Sequence, residues 1–232
     1  MSEATQPPGW HGKLPSLGDF ASRRLDSSFI ETWDGWLAAG LLALRETNAD
    51  GWLDAYLASP SWRFVLQPGV LGDGGWAGVL MPSVDRVGRY FPFTIVLPLG
   101  RGPASVQQLA ALWHWLGRLD DLASDALQDD WSVDTLEAEL ARMAAPPLDA
   151  GEVPPASPPP AAGKLADVPL ADGVDAATFI GLQAHALWRA QAAGLAHWFA
   201  STDIVGQRML ISRGLPAAAE MHRLLGATMP AR

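Results

Sequence analysis

The sequence predicts an α/β protein: a single domain built as an α/β/α sandwich, with a central mixed sheet and helices on both faces. Three observations lead there. Stretches of period-two alternation interleave with stretches of helical spacing along the chain. Residues 91–99, Phe-Pro-Phe-Thr-Ile-Val-Leu-Pro-Leu, are almost continuously apolar, as suits a strand covered on both faces. Strand patterns also occur on both sides of a proline-rich stretch, so the late strands belong with the early ones in one sheet.

The elements follow in order. Residues 1–8 read as a flexible N-terminus, and residues 10–14, after Pro7-Pro8-Gly9, as a short edge or entry strand. Pro15, Gly18 and Asp19 make a loop. Ser28 with Glu31 three residues on is a capping box, followed by Phe29, Trp33, Trp36, Leu37, Leu41 and Leu44 at helical spacing, which predicts a helix over about 28–46. A short helix after Asp50 sets Trp52, Leu53, Tyr56 and Leu57 on one face and stops at Ser59-Pro60. From Trp62 the period is two: Trp62, Phe64 and Leu66 face one way, Arg63, Val65 and Gln67 the other, until Pro68-Gly69. Residues 76–81 and 91–99 are the next strands, the second shortened by Pro92 and Pro98, which cannot donate to a ladder.

Ser105 with Gln108 opens a long helix bearing Leu109, Leu112, Trp113, Leu116 and Leu119, with Leu122 and Leu127 continuing the stripe. Ser132 or Asp134 caps a further helix with Leu136, Leu140 and Met143 inward. Residues 146–174 hold eight prolines and no aromatic side chain, too proline-rich for an interior element, and read as an excursion from the domain spanning 9–232. Residues 176–192 then read as a helix with Ile180, Leu187 and Trp188 inward. Residues 195–201 and 207–212 are two strands, and Gly214-Leu-Pro216 opens a last helix burying Met221, Leu224 and Leu225.

Composition narrows the function. With 232 residues, about half of them apolar, the chain can bury a substantial core, and its eleven tryptophans must mostly be part of that core. A net charge of −9 argues against nucleic acid, whose phosphates are bound by clustered Lys and Arg. No apolar run reaches the ~20 residues of a membrane span. The first residues lack the basic start and apolar core of a secretory signal, and there is no cysteine for a disulfide, thiolate ligand or nucleophile. The expected location is the cytoplasm.

Chemistry is sparse. His11, His114, His185, His197 and His222 form no metal-binding spacing with each other or with acids, so neither a metal nor a cofactor is expected. The glycines at 69, 72, 74 and 75 lack a following Gly-Lys-Ser/Thr and read as a turn between strands. Asp120-Asp121 and Asp129-Asp130 read as solvated acids. What stands out is the insert from Ser83 to Tyr90, which carries Asp85, Arg86 and Arg89 between two apolar runs. A turn needs no such set of charges. Lys13, Asp19, Arg23 and Arg24 form a second polar segment. Guanidinium groups grip carboxylates or phosphates with paired hydrogen bonds, so these arginines either contact a partner or lock the loops through Asp19, Asp34 or Asp85.

The block Met81-Pro-Ser-Val-Asp-Arg-Val-Gly-Arg-Tyr-Phe-Pro92 closely resembles the TagF (ImpM) family of type VI secretion accessory proteins. So do Gly9-Trp-His-Gly-Lys-Leu-Pro-Ser-Leu-Gly-Asp-Phe20, Trp33-Asp34-x-Trp36-Leu37, Ser59-Pro60-x-Trp62-Arg63-Phe64 and Pro68-Gly69. The C-terminal half matches loosely, at residues 195–199 and Gly214-Leu-Pro216. The resemblance implies an α/β sandwich and a cytoplasmic, post-translational repressor of secretion-system assembly, linked to a forkhead-associated scaffold protein. It implies no catalytic residues. The expectation is a non-enzymatic regulator binding that scaffold through Ser83, Asp85, Arg86, Arg89, Tyr90, Lys13, Asp19, Arg23 and Arg24. The alternatives are a hydrolase or phosphate-ester enzyme using Asp85 and a nearby histidine, and a structural subunit of a secretion assembly.

Overall fold

A computed structural model of the chain describes residues 6–100, 102–103, 106–146, 176–202 and 206–226. Seven strands form one sheet: β1 (Gly9–Gly12), β2 (Ala21–Arg23), β3 (Trp62–Leu66), β4 (Gly75–Met81), β5 (Phe93–Gly100), β6 (Leu195–Thr202) and β7 (Gly206–Arg213). Their spatial order is β2-β1-β5-β4-β3-β6-β7. The α/β architecture is the expected one. The sheet is antiparallel in every pairing, however, and not mixed. A parallel neighbour needs a crossover connection, whereas β3, β4 and β5 follow one another as a meander and β6 turns directly into β7.

Helices cover both faces. Against one lie α1 (Ser27–Thr47), α2 (Trp52–Leu57) and α6 (His222–Leu225); against the other lie α3 (Val106–Asp125) and α4 (Val133–Arg142). Strand alternation divides the core between them. Trp62, Phe64, Leu66, Leu80, Val96 and Trp198 pack toward α1, while Val65, Ala77, Val79, Phe93, Ile95 and Leu97 pack toward α3. That double cover is why residues 91–99 read as nearly unbroken apolar sequence.

The face under α1 is built from aromatic rings. Trp33 lies 5.6 Å from Phe29, 4.7 Å from Trp36 and 5.3 Å from Phe64, centroid to centroid. Its indole N–H is satisfied by Thr94 Oγ1 at 2.9 Å, inside the sheet. Two other indoles reach the C-terminal segment: Trp36 donates to the Pro216 carbonyl at 2.8 Å and Trp62 to the Leu224 carbonyl at 2.7 Å.

Several expectations are corrected. β1 is not at the edge, for it lies between β5 and the three-residue β2, a strand too short to show a period in the sequence. Pro8 is buried and its carbonyl accepts two hydrogen bonds from Arg24, so order begins before residue 9. Asp26, not Ser28, stands at the N-cap of α1, and its side chain makes no capping hydrogen bond. Leu57 and Leu109 are exposed rather than inward. In α5 (Ala176–Ala192), Ile180, Leu187 and Trp188 are 63%, 45% and 41% exposed, while Ala186 and Ala192 are buried. The last helix is shorter than expected, a 3-10 turn at Ala218–Glu220 and then α6, although Met221, Leu224 and Leu225 are buried as anticipated. Ser132 does cap α4, accepting from Thr135 N at 3.1 Å. Pro98 is tolerated because β1 pairs with β5 only from Phe93 to Val96, leaving Pro98 beyond its reach. Residues 1–5, Ser105 and nearly all of 146–174 lie outside the described residues.

Two glycines test this packing in opposite directions. A Cβ on Gly78 would fall 2.2 Å from the Ile95 carbonyl oxygen and 2.9 Å from Phe64 Cζ, so Gly78→Ala is expected to destabilise by about 3 kcal/mol. Gly35, exposed in α1, has nothing within 4 Å of that position, and Gly35→Ala should stabilise by ~0.5–1 kcal/mol. Urea denaturation of the two variants measures both.

Candidate functional site

Two loops meet past the ends of β1, β4 and β5: residues 13–20 and residues 82–92. Gly12 lets them close. It has φ +130°, and a Cβ there would stand 2.1 Å from the Pro92 carbonyl oxygen. Beyond that contact, Lys13 Nζ donates to Asp85 Oδ2 at 2.5 Å, with side chains only 4% and 0% exposed. Asp85 Oδ1 accepts from the backbone N–H of Val87 at 3.0 Å and of Arg89 at 2.9 Å, folding the loop over its own carboxylate. Oδ2 also accepts from Arg89 Nε at 2.7 Å.

Further bonds stitch the loops together. Ser83 Oγ donates to the Lys13 carbonyl at 2.7 Å, and Arg86 N to the Leu17 carbonyl at 2.8 Å. The Tyr56 hydroxyl donates to the Ser83 carbonyl and accepts from Ser83 N, at 3.0 and 2.8 Å. Arg89 Nη2 donates to the Gly18 carbonyl and lies 3.5 Å from Asp19. Burial alone would raise the Asp85 carboxyl, but the bonds from Lys13 and Arg89 hold it well below the usual carboxylate range. Burial pushes the Tyr56 phenol up, with the Ser83 bond opposing only in part.

The structure therefore divides the expected site residues. Ser83, Asp85 and Lys13 are buried and cannot meet a partner directly. Tyr90 is half-buried, edge-on to Tyr56 and Trp52. Arg89 and Asp19 are exposed but engaged with the loop framework. Arg23 and Arg24 stand at the other end of β2: Arg23 lies over the Trp10 ring, and Arg24 pairs with Glu137 of α4 at 2.5 Å. Arg86 is exposed, and its guanidinium makes no hydrogen bond or ion pair among the described residues.

Two apolar side chains of these loops are exposed as well. Val87 is 64% exposed, and Phe20 is 46% exposed although its ring is pinned from three sides. It stacks on His11 at 6.0 Å, meets Phe91 edge-on at 4.9 Å and has Lys13 Nζ over it at 4.5 Å. Sequence reasoning missed Phe20 as a site residue; its one signal was its place at the end of the Gly18-Asp19-Phe20 motif. The two loops thus present an exposed guanidinium and an exposed valine on one and a pinned, exposed phenylalanine on the other, an arrangement suited to protein contact.

Elsewhere the chemistry is modest. His11 Nε2 lies 3.3 Å from Asp34 Oδ1. Burial lowers the pKa of His197. Asp120 is not simply solvated: burial raises its pKa, while it accepts from Ser61 Oγ and lies 3.5 Å from Arg63. Among the described residues no group of three or more His, Cys, Asp or Glu could hold a metal ion, and no helix is long and apolar enough to cross a membrane.

Residues 9–143 match the family model of the TagF N-terminal domain, described as type VI secretion system-associated. The solved structure of PA0076 from Pseudomonas aeruginosa PAO1 is 32% identical, with a TM-score of 0.75 over 97% of this chain and 96% of that one. No curated protein matches.

The ion pair gives two expectations. Lys13→Met leaves a buried carboxylate with fewer donors and should destabilise by roughly 3 kcal/mol in urea denaturation. Because the folded state lowers the Asp85 pKa, its contribution is complete above about pH 4 and is lost as pH falls through the depressed folded value. Stability from this source should be flat from pH 7 to pH 5, and Asp85→Asn should flatten the acid limb of the stability profile.

Proposed function

The chain belongs to the TagF family of type VI secretion-associated proteins, and from that premise we propose that it is a non-enzymatic, cytoplasmic, post-translational repressor of type VI secretion assembly, acting by binding the system's forkhead-associated scaffold protein. The observation that carries this reading is the division of labour in the 82–92 loop. Asp85 and Arg89 spend their charges on the fold, while the side chains of Arg86 and Val87 are held outward, the Arg86 guanidinium without a hydrogen bond or ion pair among the described residues. Holding one guanidinium outward on a rigid loop lowers the entropy lost when a carboxylate or phosphate is bound. Phe20 supplies a fixed aromatic anchor on the neighbouring loop.

The hydrolase alternative assigns a proton-transfer role to Asp85. Both of its oxygens are occupied by donors and its side chain has no exposure, so a substrate does not reach it without dismantling the loop.

The test is a pull-down with tagged wild-type protein and an Arg86→Glu/Val87→Asp variant, with the scaffold quantified by mass spectrometry. The scaffold should be recovered with wild type and reduced at least about tenfold with the variant. The melting temperature should hold within about 1 °C, since both side chains are exposed. Equal recovery with both proteins moves the contact off this loop, and no recovery with either removes the scaffold as partner.

A further inference from the structure

The two edges of the sheet are built differently. β2, at one side, is three residues long. β7, at the other, pairs with β6 through eight consecutive positions without a bulge, and no strand lies on its outer side among the described residues. Every second residue of such a strand turns its main-chain N–H and C=O outward. Edges of this length are normally blunted by proline, a bulge or an inward charge, because they template pairing with another strand. β7 has no proline and no bulge, and Met209 and Ile211, 50% and 62% exposed, occupy the middle of one face. On the other face a groove of about 340 Å³ runs between β7 and the residues that follow it, lined by Leu210, Ser212, Leu215, Pro216, Glu220 and Leu224.

We infer that β7 pairs antiparallel with β7 of a second copy of this chain, about a twofold axis at Leu210. The sequence of the strand selects this occupant and this register. Neighbouring side chains point to opposite faces, so a twofold perpendicular to the sheet keeps faces matched only when it passes through a residue. Centred on Leu210, the pairing sets Met209 opposite Ile211 twice, and side chains now exposed cover each other. The two arginines of the strand never face one another, for Arg208 stands opposite Ser212 and Arg213 opposite Gln207. The groove beside Ser212 holds Glu220, 55% exposed and with only a 3.4 Å contact to Arg223. Arg208 of the second copy enters next to that carboxylate, and the symmetry makes the pair twice. Moving the axis to Met209 sets Arg208 opposite Leu210, and moving it to Ile211 sets Arg213 opposite Met209; both lose the match.

β7 and β1 lie toward opposite ends of the strand order, so this dimer leaves Arg86, Val87 and Phe20 uncovered and does not rest on the proposed function. A contact made mainly by one strand is smaller than a standard interface, so the dimer should dissociate in the micromolar range.

Sedimentation velocity of the full chain across micromolar concentrations tests it. Wild type should shift from monomer to dimer, and Ile211→Lys should weaken association at least about tenfold. Arg208→Glu and Glu220→Arg should each weaken it about tenfold, and the two together should restore it, a recovery that general loss of fold does not produce. Circular dichroism melting of each variant controls for folding. A monomer at every concentration overturns the inference, as does a dimer indifferent to Ile211→Lys. Failure of the charge swap to recover overturns the Leu210 axis.

Discussion

The Lys13–Asp85 pair is the point on which the two loops past the ends of β1, β4 and β5 depend. Two opposite charges with almost no exposure are tolerated only when every remaining oxygen and proton has a partner. Asp85 meets that demand by drawing in two backbone amides and the Arg89 guanidinium, which in turn fixes the course of residues 85–89. Lys13 sets its ammonium between Asp85 and the face of Phe20, and its carbonyl accepts from Ser83. The loop conformation follows from the need to satisfy one buried carboxylate. Arg86 and Val87 project outward because all the inward positions are taken.

The rest of the fold provides a rigid base for this pair. β1, β4 and β5 carry the two loops and are held from both sides, by α3 below and by the Trp33 cluster above. Tyr56 joins the two levels, since its ring belongs to the core under α1 while its hydroxyl both donates to and accepts from the backbone of Ser83. Rotation of that loop therefore disturbs core packing, and the surface patch has little freedom to adapt.

How much of this was legible depends on the range of the interaction involved. Local signals were read well: the alternation of Trp62, Phe64 and Leu66, the Ser132 cap and the turn after Pro68 all act within a few residues. β2 escaped notice because three residues carry no period, and its pairing is decided by β1 across a loop. The sheet direction escaped because apolar pattern reports burial and not orientation. In α5 size misleads: Ile180, Leu187 and Trp188 are exposed while Ala186 and Ala192 are buried. The 82–92 loop was singled out for its charges, yet charge in a loop reads as exposure. Only the approach of Gly12 to Pro92 brings Lys13 to Asp85, 72 residues away.

The indole bonds from Trp36 to Pro216 and from Trp62 to Leu224 span 180 and 162 residues. During synthesis the aromatic face of the sheet is thus complete only after residues 216–225 have left the ribosome. Until then Trp33, Trp62 and their neighbours await the cover that Met221, Leu224 and Leu225 supply. A nascent chain in that state displays apolar surface until those residues emerge, the period in which chaperones engage such surfaces. The family match ends at residue 143, but the folding unit does not.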